Sequence, residues 1–406
     1  MNDSIKNKTA IFTVCSICYL PKALVLADSV YKYEQKKIII YLIDKKTNIN
    51  LDFDFADIRW IEDENIPDLN KLAFIYDVTE FSTCIKPLLT LKLLDFFSYV
   101  IFLDSDTCLF DSLGPVYDSL EKYPILLTPH YTVPISSKED NYDLGMMRFG
   151  SFNLGFYAVT SQTEATDFLS WWSERCINLG FFETQFGLSV DQKWVSIAPC
   201  FFPNLHIMFD LGLNMAYWNL HERVLSKDSD GYLVNNQYRL VFFHFSSFNL
   251  KNPKVISSRP HKWNLTGRDD LNEICNIYAE KLVKLDNGFS SIKYGFDYMS
   301  NGAYISPTLR RAYASVADEF SDNVNPFDFG GKISSFVFKN YLLEKNNISF
   351  KSAGFSDIPN HSRKFKLIYF FLRLILRIIG PNRFFNLSRL FVYLSSYRQN
   401  RGLWKI

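Results

Sequence analysis

Asp104-Ser105-Asp106 follows directly on the apolar run Val100-Ile-Phe-Leu103. Carboxylates at i and i+2 just past a buried strand can both turn toward one point. There they suit a hard divalent cation that keeps open positions for phosphate oxygens. Such a cation stabilises the charge that builds on a diphosphate as a sugar–pyrophosphate bond breaks. Asp-rich turns after strands are also common without a metal, so the triplet takes its meaning from its surroundings. A metal needs further ligands, and histidine is the natural third. The chain has six: His130, His206, His221, His244, His261 and His361. His244 lies in Val241-Phe-Phe-His-Phe245, where a satisfied core histidine is the ordinary reading. His130, after Thr128-Pro129, could instead face the same crevice.

The elements that must position these groups alternate along the first third of the chain. Thr9–Cys15, Lys37–Ile43 and Asp57–Ile61 read as strands, rich in β-branched and aromatic residues. A helical pattern runs from Pro21 through Tyr33, and further helices are expected over Pro67–Tyr76 and Thr79–Phe97. Tyr99–Leu103 is a buried strand ending at Asp104. Asp111 reads as the N-cap of another helix, and Pro124–Thr128 as a further strand. Leu154–Thr160 and Leu240–Phe245 add strands, and Ala165–Leu179 a helix. Strands alternating with helices predict an α/β fold, with a mostly parallel sheet covered on both faces. In such sheets the ligand crevice lies beyond the carboxyl ends of the strands. That rule singles out the loops after Cys15 and after Leu103.

The 406 residues suit one large domain plus an appendage, and 48% hydrophobic content supplies a substantial core. Net charge is +1, but all 43 acidic residues and 34 of the 44 basic ones precede Ile358. The remaining segment carries ten basic residues and no acidic one, which predicts a local anionic partner for that end. Nothing calls for a nucleic-acid partner. Seven scattered cysteines fit a reducing cytoplasm, and Cys15-Ser-Ile-Cys18 reads as two reduced thiols near a strand end. The run Ala10–Val14 is too short for a signal-peptide core.

Thr13-Val-Cys-Ser-Ile-Cys-Tyr19, Lys86-Pro-Leu-Leu89 and Phe102-Leu-Asp-Ser-Asp106 together resemble glycosyltransferases of the GT-A fold, closest to bacterial enzymes related to glycosyltransferase family 8. Thr128-Pro-His130, Phe152-Asn-Leu-Gly-Phe156, Val190-Asp-Gln-Lys-Trp194, the run from Asn214 to Arg223 and Phe243-His-Phe-Ser246 follow in order. The resemblance covers roughly Thr9 to Ser258. It implies a Rossmann-like nucleotide-diphospho-sugar transferase domain over 1–262. A mainly helical or loop-rich extension would follow over 263–357, and a basic amphipathic helical tail over 358–406.

It also implies roles. Asp104 and Asp106 would hold Mn2+ or Mg2+, with His244 as third protein ligand and Ser105 between them in the nucleotide-sugar site. The loop from Thr13 to Tyr19 would form the base and ribose pocket, with Tyr19 stacking on the base. Lys86 would pair with the pyrophosphate or donor sugar; an exposed helix lysine is the bland alternative. Asn153, Asp191 and Gln192 would line the donor sugar and acceptor, although Asn153 could simply shape a turn and Asp191 cap a helix. His221 and Arg223 are phosphate partners or structural residues. The expected donor is a UDP-sugar, and the expected acceptor a glycan or lipid-linked hydroxyl in bacterial surface polysaccharide or glycoconjugate synthesis. Anomeric retention is the expected course; inversion would make Asp191 the base. After its histidine the family has Gly and then Lys-Pro-Trp, whereas His244 is followed by Phe-Ser-Ser-Phe-Asn249. That leaves Lys251 or Lys254 as a loose match for the phosphate-binding lysine.

A nucleotidyltransferase would carry a Gly-rich loop after the first strand, and Ser16–Pro21 has no glycine. A non-catalytic sugar-nucleotide or partner-binding protein on the same fold is the other alternative, against which stands the complete Asp104, Asp106 and His244 set. In the tail, Lys366, Arg373 and Arg377 share one side of a helix over Phe365–Ile379. Gly380-Pro381 breaks it, and Arg383–Tyr397 repeats the theme. No stretch there has 18 uncharged apolar residues, so surface contact of 363–401 with the inner face of the cytoplasmic membrane is expected rather than spanning. A packed helical hairpin is the alternative.

Overall fold

The computed structural model describes residues 3–135, 143–259, 268–320, 324–343 and 363–406. His261, His361 and the sequence-derived boundaries near 262 and 357 lie outside the described residues. The chain divides into two compact units, Met1–Leu69 with Val78–Gly295, and Asn70–Asp77 with Phe296–Ile406.

The first unit is built on seven strands among the described residues. They are β1 (Thr9–Cys15), β2 (Ile38–Leu42), β3 (Ala56–Trp60), β4 (Tyr99–Leu103), β6 (Ile125–Pro129), β7 (Phe152–Thr160) and the short Leu205–Ile207; β5 (Thr107–Leu109) belongs to a separate small sheet. Across the main sheet the order is Leu205–Ile207, β6, β7, β4, β1, β2, β3. Pairing is parallel throughout except that β7 runs antiparallel to both β4 and β6. The fold is therefore α/β with a mostly parallel sheet, as the alternating pattern predicts.

Alternate residues of each strand serve opposite layers, because side chains in a strand point to the two faces in turn. On one face Ile11, Ile40, Ile101, Leu103 and Ala158 pack against Leu24, Ala27 and Val30 of helix Leu20–Glu34, and against Val116 and Tyr117 of helix Gly114–Leu120. On the other, Phe12, Phe102 and Tyr157 form an aromatic ladder that ends on Trp172 of helix Thr163–Leu179.

Two local expectations change. The helix expected over Thr79–Phe97 is two helices, Val78–Cys84 and Lys86–Leu94. Pro87 lacks an N–H and would clash with the carbonyl four residues back, so one helix stops and the next begins at Lys86. Asp111 is not a helix cap. Its carboxylate accepts from Ser112 N–H (2.7 Å), and the helix starts at Gly114. The acceptor for Leu113 N–H is the buried Glu34 carboxylate at 2.7 Å, which also takes the Tyr117 hydroxyl at 2.9 Å.

The second unit is helical. Helix Pro307–Val316 starts with Ser306 accepting from Leu309 N–H, and Pro307 is pre-shaped for the first turn. Phe74 of the 70–77 segment packs on Tyr313 and Phe327. Helices Arg363–Ile379 and Pro381–Leu394 follow, separated by Gly380 at φ 81°, a left-handed geometry that suits glycine. Among the described residues no helix is long and apolar enough to cross a membrane.

Candidate active site

Beyond the carboxyl end of β4 the chain turns through Asp104-Ser105-Asp106 into β5. Three backbone bonds set this turn: Asp104 N–H to Gly155 O (2.8 Å), Thr107 N–H to Asp104 O (3.0 Å), and Phe245 N–H to Asp106 O (2.8 Å). β5 sits in a small sheet beside strand Phe242–His244, with Thr107 opposite His244, and strand Met215–Ala216 flanks the other side. Strand alternation sends Phe243 and Phe245 into one apolar cluster, while Phe242 and His244 share the opposite side. This resolves the apolar run around His244: its neighbours are core, and the imidazole faces the carboxylates.

His244 Nε2 lies 2.9 Å from Asp106 Oδ1 and 3.8 Å from Asp104 Oδ2. One ligand atom from each of the three residues falls within 4.8 Å of the other two. Two carboxylates and an imidazole are a suitable donor set for Mn2+ or Mg2+. Burial works against ionisation of Asp106, but the adjacent His244 outweighs it and holds the carboxyl well below the usual carboxylate range. Lys22 Nζ lies 3.9 Å from the other Asp106 oxygen and 4.1 Å above the Tyr19 ring.

His244 Nδ1 faces Asn214 Oδ1 at 3.3 Å. The Asn214 amide nitrogen donates to Thr128 Oγ1 and Asn153 Oδ1, each at 3.0 Å, so its oxygen is the acceptor toward the ring. The network thereby makes Nδ1–H the donor to Asn214 and directs Nε2 at the two carboxylates, where it would serve as the ligand atom for a metal ion. Gly155 is required here: a Cβ on it would lie 2.4 Å from His244 Cε1 and 2.6 Å from Nδ1.

Lys86 is 4% exposed. Its ammonium pairs with Asp104 Oδ1 (3.2 Å) and Asp191 Oδ2 (3.3 Å), donates to Leu154 O (3.1 Å), and sits 4.4 Å above the Phe102 ring. Burial opposes its charge, yet Asp104 and Asp191 together raise its pKa. Asp191 occupies the N-cap position of helix Gln192–Val195, but its side chain makes no cap bond and turns to Lys86 instead. Burial outweighs that cation and pushes the Asp191 carboxyl up to about 6.

The other predicted site residues fall at different distances from this centre. Asn153 is buried in β7; its oxygen accepts from Gly155 N–H and Asn214, and its amide faces His130 Nε2 at 3.4 Å. Gln192 braces two segments, donating to Phe149 O and accepting from Leu154 N–H. Tyr19 is exposed just past β1. Thr13 is enclosed within β1, and Ser105 is buried in the turn. Arg223 is buried and spends its guanidinium on Leu211 O, Leu213 O and Glu222, so it is a structural residue. His221 packs edge-on against Tyr131. Lys251 and Lys254 are exposed.

Sequence reasoning assigned no role to Asn214, Lys22 or Arg259. Arg259 donates to Ser247 Oγ at 3.0 Å and is close enough to help depress the Asp106 pKa. Asn214 adopts φ 51°, a region asparagine tolerates better than most residues, and nothing in its local sequence marks it.

No family model matches the chain. It is similar to the uncharacterized protein YfnF of Bacillus subtilis (strain 168), 25% identical over 284 residues that cover 68% of this chain and 91% of that one. A second uncharacterized protein of that organism, YfnD, is 25% identical over 253 residues, covering 61% and 77%. Among solved structures it is similar to the galactosyltransferase LgtC in complex with donor and acceptor sugar analogs, with 16% identity, 68% of this chain and 96% of that one covered, and a TM-score of 0.41. The bifunctional glycosyltransferase WbbM in its apo form gives 12% identity, coverage of 68% and 51%, and a TM-score of 0.37.

Proposed function

We propose that this chain is a GT-A-type, metal-dependent glycosyltransferase that moves a sugar from a nucleotide diphosphate, a UDP-sugar above all, to a hydroxyl of a glycan or lipid-linked acceptor. The observation that carries the reading is the convergence of Asp104, Asp106 and His244 beyond the carboxyl end of β4, with Lys86 and Asp191 beside them. A Mn2+ or Mg2+ ion held by the first three would offset charge on a departing diphosphate. Lys86 adds a fixed positive charge at the same place, already desolvated and needing no reorganisation. The exposed Tyr19 ring after β1 suits stacking on the base, and Arg259 and Lys22 suit phosphate oxygens.

The acceptor oxygen bonds to the anomeric carbon as that carbon's bond to the diphosphate breaks, and the acceptor proton passes to the leaving phosphate oxygen. We take retention as the course, because Asp191 is held against Lys86 rather than free to collect a proton. Gln192 then stabilises the positive sugar ring, and positioning supplies much of the acceleration. Surface polysaccharide or glycoconjugate assembly in a bacterium is the setting in which such an enzyme works.

The test is thermal melting with UDP, with and without Mn2+, on the native chain and on Asp106→Asn. Stabilisation that needs metal and vanishes in the variant is expected. A shift of equal size without metal, or an unaffected variant, sinks the metal site. A panel of sugar donors, read by nucleotide release, then identifies the sugar.

A further inference from the structure

The site uses none of the basic residues beyond Ile358. Helices Arg363–Ile379 and Pro381–Leu394 form a pair joined at Gly380. At 100° per residue, Lys366, Arg373 and Arg377 of the first helix cluster on one side, and Leu367, Phe371, Leu374, Ile375 and Ile378 on the other. In a soluble unit the apolar side would be covered. Here Ile378 is 73% exposed and Leu367 59%, and on the second helix Phe385 and Phe391 are 61% and 62% exposed. Contiguous exposed apolar surface of this kind marks an interaction site.

The pair is not a loose end. Beyond it, Arg401 bonds Asp318 at 2.7 Å and also reaches Glu319, and Lys405 N–H donates to Asn340 at 2.8 Å. The chain thus returns to its own unit after presenting two uncovered helices.

We propose that the 363–398 helix pair lies in the headgroup region of a bilayer rich in anionic phospholipid. Its apolar side meets the acyl chains, and Lys366, Arg373 and Arg377 sit at the level of the phosphates. Neither helix is long and apolar enough to cross. Charge selects the occupant: ten basic residues and no acidic one from 358 onward attract an anionic surface, whereas the same helix pair of a second copy would bring like charge against like. The proposal does not depend on the sugar-transfer reading, so either can fail without the other.

The experiment is flotation of the full chain with phosphatidylcholine vesicles and with vesicles containing about one third phosphatidylglycerol. Binding to the second kind, weakened by salt, is expected. Replacing Lys366, Arg373 and Arg377 together by Gln lowers partitioning about a hundredfold, each basic residue being worth roughly fivefold. Ile378→Asp abolishes binding with an unchanged melting temperature, because Ile378 is exposed in the folded chain. Equal binding to both vesicle kinds overturns the proposal. So does absence of vesicle binding together with a concentration-dependent dimer that Ile378→Asp dissolves.

Discussion

Asn214 Oδ1 accepts a hydrogen bond from His244 Nδ1–H at 3.3 Å, and this one bond decides which ring nitrogen meets Asp104 and Asp106. Asn214→Gly tests it without strain, since glycine accepts the φ of 51° that other residues resist. Loss of the orienting acceptor lowers Mn2+ affinity roughly 10- to 100-fold, measured by paramagnetic resonance of free Mn2+. Unchanged affinity removes Asn214 from the account.

Lys86 separates two carboxylates that would otherwise face each other in a buried site. Lys86→Met leaves Asp191 without a counter-charge, and breaking such a pair costs about 3–5 kcal/mol. Urea unfolding measures the loss. Adding Asp191→Leu to Lys86→Met recovers part of the stability and none of the nucleotide-release activity. If the double variant is no more stable than the single one, the two residues are not coupled.

His130 gives the fold a pH dependence. Burial pushes its pKa down to about 4, with Nδ1 near Ser151 O at 3.3 Å. In the unfolded chain its pKa returns to about 6.5. Below that value the unfolded state binds the proton more readily, so stability falls with pH between about 6.5 and 4 and then levels. Denaturation at a series of pH values shows this slope, and His130→Gln flattens it.

In the C-terminal unit, Arg310 donates to the carbonyls of Ala73, Phe74, Tyr76 and Phe296 and to Asp297. Arg310→Lys keeps the charge but cannot span five acceptors with a single ammonium. The variant loses about 2–4 kcal/mol, through buried carbonyls left unpaired. Limited proteolysis within 296–343 reports it; native resistance would show the fork to be dispensable.

What could be read from the sequence follows how local the cause is. β1 and β4 were legible because unbroken apolar runs have few other uses, and Asp104 and Asp106 because they end such a run. Lys86 takes its role from the resemblance, and the helix break at Pro87, next to it in the chain, is not part of the expected pattern. The cap of helix Gly114–Leu120 was misread because its acceptor, Glu34, lies 79 residues before Leu113. The reversed direction of β7 was invisible, since all nine of its residues are buried and such a strand reads alike either way. His244 gained its meaning from resemblance, and Asn214 stayed silent because its partners, Thr128, Asn153 and His244, come from three separate stretches.

The pairing of β5 with strand Phe242–His244 also determines what the protein can tolerate losing or gaining. Thr107 opposite His244 acts as an address: the ligands find each other by ladder register, not by distance along the chain. The segments between them can lengthen, shorten or drift in composition without moving the histidine. A single residue inserted between Phe242 and His244 would instead turn the imidazole toward Tyr278 and empty the site at one stroke. Relatives of this chain can therefore diverge widely in their connections and still be recognised by two short strands that must stay in step.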